Sequence, residues 1–340
     1  MTTELRPKNV FMDRFALEPK VQRVWGGPHA TWFTLMGVGG GLFLLARSLG
    51  LTSSLGRFLG IPLADLLSFA AIAVGGLVLI ADLGRPFRFW RAFLNVRTSW
   101  ISWGAICDAI FLVCGGLLVL PELEVGGARP FDGLPWTAEA ATGSGRALEI
   151  GAGLAAVVVM FYAGAVLANP RAIPYWHSPA IPLQFLFSAA GMSMAAILVL
   201  LVVNGEPVGT SHLWLFVLFE SLLVASIGWH LATGRDRPGK SHSIERLTTG
   251  RLRMPFVAGV VVVGTVAPVL AALVAIAVEP ARDAIAVLVF LVVLPAGFFL
   301  RLFTLRVGIF PPVRDLPARS VERPMLDLRS SSSAGLAATP

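Results

Sequence analysis

Several ionisable side chains fall inside long apolar runs of this sequence: Asp65, Asp82, Asp108, Glu220 and His230. A charged group at membrane depth is costly, so such residues face a bundle interior, pair with one another or mark a pathway. Asp65 and Asp82 lie near the ends of their runs, where an interfacial position needs little explanation. Glu220 lies near the middle of its run, which favours a proton pathway or a substrate site.

A second group combines titratable and aromatic side chains at the ends of these runs: Trp25, His29, Tyr162, Trp176 and His177. A quinone headgroup needs hydrogen-bond partners for two oxygens, a group that exchanges protons near neutral pH, and aromatic walls. These residues can supply all three. The alternative is that the tryptophans and the tyrosine only form the aromatic belt found at membrane surfaces.

The elements that must position these residues are membrane-spanning helices. The protein has 340 residues, 56% of them hydrophobic and only 14% charged, so it is not an ordinary soluble domain. A bilayer-spanning helix needs about 20 apolar residues. Eight runs meet this length, at residues 31–49, 62–82, 100–120, 148–168, 181–203, 213–231, 256–278 and 284–303. We therefore predict an all-α polytopic membrane protein with eight transmembrane helices, grouped as two four-helix bundles.

The basic residues predict the orientation of these spans. Their even number places both termini on one side, and 22 of the 27 Lys and Arg residues lie on that side. By the positive-inside rule, that side is cytoplasmic. Topology then accounts for most of the net charge of +7, without a nucleic-acid partner, although a basic face could also dock an acidic subunit.

Three parts of the sequence follow from this pattern. Residues 1–30 form a polar cytoplasmic arm without an evident cleavable signal peptide. Residues 31–305 form the eight-helix domain, and residues 306–340 form a cytoplasmic tail that we expect to be largely disordered at its Ser-rich end. Cys107 and Cys114 share one run without metal-ligand spacing, so we expect two buried small hydrophobic side chains and no metal site.

The connection at residues 82–98 is both basic and aromatic. Arg85, Arg88 and Arg91 recur at intervals of three. In a short interfacial helix they would project from one side, with Phe87 and Trp90 near the lipid headgroups. Asp82 could pair with Arg85, one turn along. The alternative is a positive-inside loop that only anchors the protein.

Small residues and prolines interrupt three of the runs. The first contains Gly37 and residues 39–41, glycines whose spacing allows close helix packing in lipid, so we expect this span to be central. Pro268 and Pro295 lie in the middle of the last two runs. Neighbouring helices can satisfy the carbonyl groups that such prolines leave free.

Two stretches resemble the NrfD-like, or polysulfide reductase type, membrane subunits. The sequence DLGRPFRFWRAFLNVRTSWIS at residues 82–102 is similar to the acidic-Leu-Gly-Arg-Pro signature of that family. Tyr162-Ala163-Gly164, followed by Ile173-Pro174-Tyr175-Trp176, is similar to its crossing between the fourth and fifth spans. The resemblance extends over essentially the whole sequence.

The resemblance implies a subunit of a bacterial or archaeal cytoplasmic membrane that carries no haem or iron–sulfur cluster of its own. It would exchange electrons between menaquinone or ubiquinone and an iron–sulfur subunit, which connects to a molybdopterin catalytic subunit, both docking on the cytoplasmic face. By this resemblance His29 and Tyr162 contact the quinone. We expect Trp25, Asp82, Arg85, Trp176 and His177 around it, and a proton pathway through Asp108, Glu220 and His230.

Two other functions stay open. A secondary transporter or ion channel would use Glu220 and Asp108 as coupling groups, with helices broken near Pro268 and Pro295. A b-type cytochrome would use His29 and His230 as the axial ligands of one haem. Copurification distinguishes the transporter from the quinone-reactive anchor, because a transporter should purify alone and the anchor should bring iron–sulfur and molybdenum-containing subunits with it.

Overall fold

The computed structural model describes residues 20–136, 143–234 and 238–310. In these ranges, eight helices are long and apolar enough to cross a membrane, which confirms the predicted all-α membrane fold. In sequence order the helices are α1 (Gly27–Ser48), α2 (Leu63–Ala81), α3 (Trp100–Val119), α4 (Gly143–Ala168), α5 (Ala180–Val203), α6 (Thr210–Ala232), α7 (Pro238–Thr248), α8 (Met254–Ala277) and α9 (Arg282–Arg306). The short polar helix α7 is the one that does not span.

Four short strands of the described ranges form two antiparallel pairs near the ends of the spans. The strands are β1 (Lys20–Val21), β2 (Arg57–Phe58), β3 (Ile61–Pro62) and β4 (Ile309–Phe310). Strand β1 pairs antiparallel with β4, so the two ends of the described structure meet on one face. We call this the basic face; it carries the connection between α2 and α3, and α7. Strands β2 and β3 form a hairpin on the opposite face.

Helix α5 is central to the packing. It contacts α1, α4, α6 and α9, and it is the most buried of the eight spans. Helix α1 also packs on α2, α3 on α4, and α8 on α9. Since α5 contacts helices of both halves to a similar extent, the grouping into two four-helix bundles stays a prediction.

The glycines of α1 allow it to approach three helices. A Cβ atom at Gly39 would lie 2.8 Å from the Ser68 carbonyl oxygen of α2, and one at Gly40 would lie 2.9 Å from the Ala156 carbonyl oxygen of α4. On the α5 side, Gly37 faces Ala189 in the same way. Backbones can meet this closely only without side chains, so the spacing predicted the central position of α1 correctly.

The connection between α2 and α3 contains the predicted surface helix, in the 3₁₀ form, at Pro86–Phe93. A 3₁₀ helix has about three residues per turn, so residues three apart lie in line. Arg88 and Arg91 therefore share one side, and Phe87 and Trp90 share another, with exposed fractions of 93% and 50%. The segment is an exposed amphipathic helix.

Helix α8 is irregular in its first half. Met254–Val266 is π-helical and Ala267–Ala277 is α-helical. Pro268 lies just after this change. In an α-helix its ring would clash with the carbonyl group four residues earlier, and the wider π turn relieves that clash. Pro295 lies inside α9, which continues as one helix.

The span boundaries differ from the predicted ones by a few residues. Helix α1 begins at Gly27 rather than residue 31, α4 begins at Gly143 rather than residue 148, and α9 continues to Arg306. The division into an arm, a membrane domain and a tail stays a prediction. Most of the arm and the Ser-rich end of the tail lie outside the described residues.

Candidate functional site

The first part of the site is a contact between a histidine and an aspartate on the basic face. Pro28 is the second residue of α1, near the helix start where proline is well tolerated, so His29 lies in the first turn. Helix α2 ends at Ala81, and the Asp82 Oδ2 atom lies 3.1 Å from the His29 Nδ1 atom. The predicted partner, Arg85, instead precedes the 3₁₀ helix with its side chain exposed. The expected Asp82–Arg85 pair is therefore replaced by Asp82–His29.

The second part lies deeper, between α3 and α4. The Tyr162 hydroxyl group donates a hydrogen bond to the Asp108 Oδ2 atom at 3.3 Å. The Tyr162 ring packs directly on Gly104 of α3, where any Cβ atom would overlap it. Gly104 therefore creates the space in which a buried phenol and a buried carboxyl group meet.

Aromatic rings connect the two parts. Trp25 packs on His29 with 4.7 Å between ring centroids, and on Phe33 at 6.1 Å. Phe33 packs on Trp32 at 4.1 Å, and Trp32 stacks on Tyr162 at 6.0 Å. We call these five residues the aromatic cluster. It places the two residues predicted to contact quinone, His29 and Tyr162, at the ends of one continuous group.

An apolar groove opens beside this cluster at the basic face. It has a volume of about 320 Å³ and lies between the start of α3, the end of α4 and the connection to α5. Trp25 and Trp176 line it, and their rings are 5.9 Å apart. The Trp176 Nε1 atom donates a hydrogen bond to the Thr304 carbonyl oxygen at 2.7 Å, which fixes this wall to α9.

Two buried polar atoms near Tyr162 lack a partner among the described residues: the Trp32 Nε1 and the Asp108 Oδ1 atoms. An unpaired donor and an unpaired acceptor in an apolar interior are costly. A ligand that presents both an acceptor and a donor would satisfy them. Trp32 was not predicted as a site residue, although its position one turn after His29 was the available signal.

Two predicted site residues lie apart from this cluster. Arg85 is at the surface, and the His177 Nδ1 atom lies 2.7 Å from the Ala168 carbonyl oxygen, where it fixes the connection to the end of α4. The nearby Tyr175 is buried, and burial raises the pKa of its phenol. Its hydroxyl group therefore stays protonated at neutral pH and cannot act as a base.

The remaining predicted residues lie in the other half of the molecule. Glu220 is 1% exposed, and neither of its carboxylate oxygens has a partner among the described residues. The His230 Nδ1 atom lies 3.1 Å from the Ser178 Oγ atom. Asp108 therefore belongs to the Tyr162 part of the site, and Glu220 and His230 form a separate group.

Arg301 is a buried basic residue of α9 that was not predicted as a site residue. It is fully buried, because α9 extends beyond it to Arg306. Its Nη1 atom donates hydrogen bonds to the Ser188 Oγ and Gly297 carbonyl oxygen atoms, both at 3.0 Å. Its position inside the predicted run at residues 284–303 was the available signal.

The two histidines of the cytochrome alternative have different neighbours among the described residues. His29 contacts Trp25 and Asp82, and His230 contacts Tyr175 and Ser178. Across the described ranges, no group of three or more His, Cys, Asp or Glu side chains is arranged to bind a metal ion.

Comparison with known proteins gives the family. A family model described as "Polysulphide reductase, NrfD" matches residues 17–312. The chain belongs to the NrfD family. It is similar to a polysulfide reductase chain of Wolinella succinogenes, with 31% identity over 264 residues, 72% of this sequence and 82% of the relative. It is also similar to "Protein NrfD homolog" of Haemophilus influenzae, with 24% identity over 269 residues, 73% of this sequence and 83% of the relative.

Membership of the NrfD family, together with the eight spans, identifies a multi-pass protein of the bacterial inner membrane and a membrane subunit of an oxidoreductase complex. The two stretches on which the resemblance is based make specific contacts in this NrfD protein. Asp82 contacts His29, and a Cβ atom at Gly164 would lie 2.6 Å from the Pro182 Cα atom of α5. The second stretch thus brings α4 and α5 together beside Tyr162.

Proposed function

We propose that this protein is the quinone-reactive subunit of its complex and passes electrons between the quinone pool and an iron–sulfur subunit, which connects to a molybdopterin catalytic subunit. The observation that carries the proposal is the aromatic cluster, with a proton-exchanging pair at each end and an apolar groove beside it. Menaquinone and ubiquinone both fit this description.

Each pair has a distinct role in the proposal. Oxidation of a quinol releases two protons and two electrons, and reduction of a quinone takes them up. Asp82 holds the Nδ1 side of the His29 ring, which leaves the Nε2 atom to exchange one proton with a headgroup oxygen. At the other end, the Tyr162 oxygen exchanges the second proton with the ligand, while the proton of its own hydroxyl group passes to or from the Asp108 carboxylate. Both electrons pass to or from the iron–sulfur subunit.

The proposed fit of a quinone depends on two buried polar atoms that lack hydrogen-bond partners among the described residues and on the shape of the groove. The Trp32 Nε1–H group and the Asp108 Oδ1 atom would pair with the carbonyl and hydroxyl oxygens of a quinone or quinol. Trp25 and Trp176 form the mouth, and the groove suits an isoprenoid tail. His177 supports this mouth by fixing the connection to the end of α4, and Arg85 lies exposed on the same face.

The basic face is where we propose that the iron–sulfur partner docks, and we propose that it is cytoplasmic. The site opens on this face, which shortens the path for electrons. The 3₁₀ helix there presents arginines and exposed aromatic rings, a composition typical of binding surfaces. A reporter fused after residue 340 should be active in the cytoplasm, and activity only outside the cell would contradict the orientation.

The quinone site is tested in the intact complex, purified through a tag on this subunit. We expect His29→Gln to lower quinone-linked electron transfer by about 10²–10⁴-fold, the usual contribution of a general acid or base. The matched control is His242→Gln, an exposed histidine on the same face, which should leave turnover unchanged. Both variants should retain the same copurified subunits.

Two results would contradict the proposal. Full quinone turnover in His29→Gln would contradict the assignment of His29 to the quinone site. Purification of the unmodified protein without an iron–sulfur subunit would remove the assignment of the partner, and it is the result that a secondary transporter would give.

A further inference from the structure

A line of buried polar side chains runs between α5 and α6, in the half of the molecule that the aromatic cluster does not use. It begins near the basic face with Ser178 and His230, continues with Gln184 and Ser226, and ends in the membrane interior with Ser188 and Glu220. Each of these side chains is at most 8% exposed. We call these six residues the polar seam.

Two hydrogen-bond contacts lie along the seam. The Ser178 Oγ atom lies 3.1 Å from the His230 Nδ1 atom, and Gln184 donates to the Ser226 carbonyl oxygen at 3.2 Å. His230 follows Ser226, and Ser188 follows Gln184, by about one helical turn. Four residues rise about 6 Å, so each of these two steps needs an intervening water molecule to carry a proton.

The seam ends in a small polar cavity. It measures about 10 Å³, close to the space of a single water molecule. Ser188, Glu220 and Thr265 contribute its polar wall. The charged group nearest to this cavity is Arg301, which donates to Ser188 at 3.0 Å. From the other helices packed on Glu220, α5 presents Ser188 and α8 presents Thr265, neither of which titrates near neutral pH.

Beyond Glu220 the packing becomes apolar. The side chains between it and the opposite face belong to one buried hydrophobic cluster, which includes Met192 and Ala195 of α5, Leu213 and Phe216 of α6, and Val289 of α9. Glu220 lies about 15 Å from the start of α6 at that face. The one buried serine there, Ser193, donates its hydroxyl group sideways to the Val38 carbonyl oxygen of α1.

We propose that Glu220 is a proton-binding site that exchanges with the basic face alone, through the polar seam. One proton adds to a carboxylate oxygen and leaves by the same route, and no electron moves in this step. At the mouth of the seam, the titratable groups facing His230 are Tyr175 and Lys240. The inference rests on the proposed proton role of Glu220 and His230, but not on the quinone site.

The test uses the complex in proteoliposomes of one orientation, which protease cleavage of a C-terminal tag establishes. Infrared difference spectroscopy follows the carboxylic acid band that Glu220→Gln removes, while the pH is stepped on one side at a time. We expect the band to respond to the pH at the basic face and not to the pH at the opposite face. Added protonophore should make it respond to both.

Seam variants sharpen the test. Ser188→Ala, or Gln184→Leu as a second variant, should slow the response of the band at least about tenfold, as expected for a removed proton relay. Ser193→Ala, a buried serine on the far side of Glu220, should not. A response to the opposite face alone, or equal rates in all three variants, would overturn the one-sided seam. A band that responds to neither face would overturn the proton role of Glu220 itself and leave the quinone site untouched.

Discussion

The two halves of the membrane domain differ in whether their buried acidic residues have partner side chains. Among the described residues of α1–α4, Asp65 pairs with Arg47, and Asp108 accepts from Tyr162. In the other half, Glu220 has no partner, and Arg301 has hydrogen-bond acceptors but no counter-ion in the described ranges. A carboxyl group that lacks a partner side chain can be satisfied by a proton. The comparison therefore separates buried acidic residues that have a partner side chain from Glu220, which we propose binds a proton.

The largest expected effect comes from breaking the most buried pair. Asp65 is fully buried, and its two oxygens accept from Arg47. Asp65→Asn removes the nearer counter-ion of Arg47, and loss of one partner of a buried pair costs about 3–5 kcal/mol. The thermal midpoint of the purified protein should fall sharply. The control Asp283→Asn, at an exposed position of α9, should leave it unchanged; equal midpoints would refute the pairing.

Removal of the hydroxyl oxygen should affect quinone-linked turnover differently at the two tyrosines of the protein. Tyr162→Phe keeps the ring but loses the hydrogen bond to Asp108, worth about 1.5–3 kcal/mol if the acceptor is charged. Quinone-linked turnover should then fall about 10–100-fold. Tyr175→Phe, at a tyrosine that contacts His230 instead, should retain full turnover. Equal turnover in both variants would show that the phenol of Tyr162 takes no part.

Glycines of α3 give a packing test of the same site. Gly104→Ala places a methyl group where the Tyr162 ring lies, whereas Gly116→Ala meets nothing within 4 Å. We expect Gly104→Ala to destabilise the protein by about 1–3 kcal/mol, as overpacking usually does. Quinone affinity should fall with it. Measurement of thermal midpoints and of quinone binding for both variants checks this, and matching values would mean that α3 and Tyr162 are not in contact.

The smallest expected effect is at Glu220. Because its oxygens have no partner among the described residues, Glu220→Gln breaks no contact and keeps the shape of the side chain. The thermal midpoint should change by less than the equivalent of about 1 kcal/mol. Asp65→Asn serves as the comparison, measured in the same detergent. If Glu220→Gln lowered the thermal midpoint as much as Asp65→Asn does, Glu220 would have a partner side chain, and the two halves would not differ in this respect.

Much of the fold could be predicted from the sequence, because length and apolarity alone define a spanning helix. All eight spans were predicted, with boundaries a few residues off, and the glycines of α1 predicted its central position. The resemblance carried by residues 82–102 and by Tyr162 with its neighbours predicted the family. These features depend on local composition, which a single sequence contains.

The partners of the site residues could not be predicted in the same way. Asp82 was expected to pair with Arg85, but the 3₁₀ helix directs that arginine to the surface and leaves the carboxylate facing His29. The burial of Arg301 and the polar seam depend on how α5, α6 and α9 pack against one another. Contacts between distant spans are set by packing, and residue spacing within one span does not encode them.

Because β1 pairs with β4, the helices could keep their arrangement in the membrane even if their order along the sequence were changed. In a protein shortened to residues 20–310, Lys20 lies opposite Phe310, so a linker of a few residues could join these strands, with new ends opened in the turn between α5 and α6. Such a circular permutant would carry its ends on the opposite face and leave every helix contact in place. Proximity of the two ends is the geometric condition for permutation.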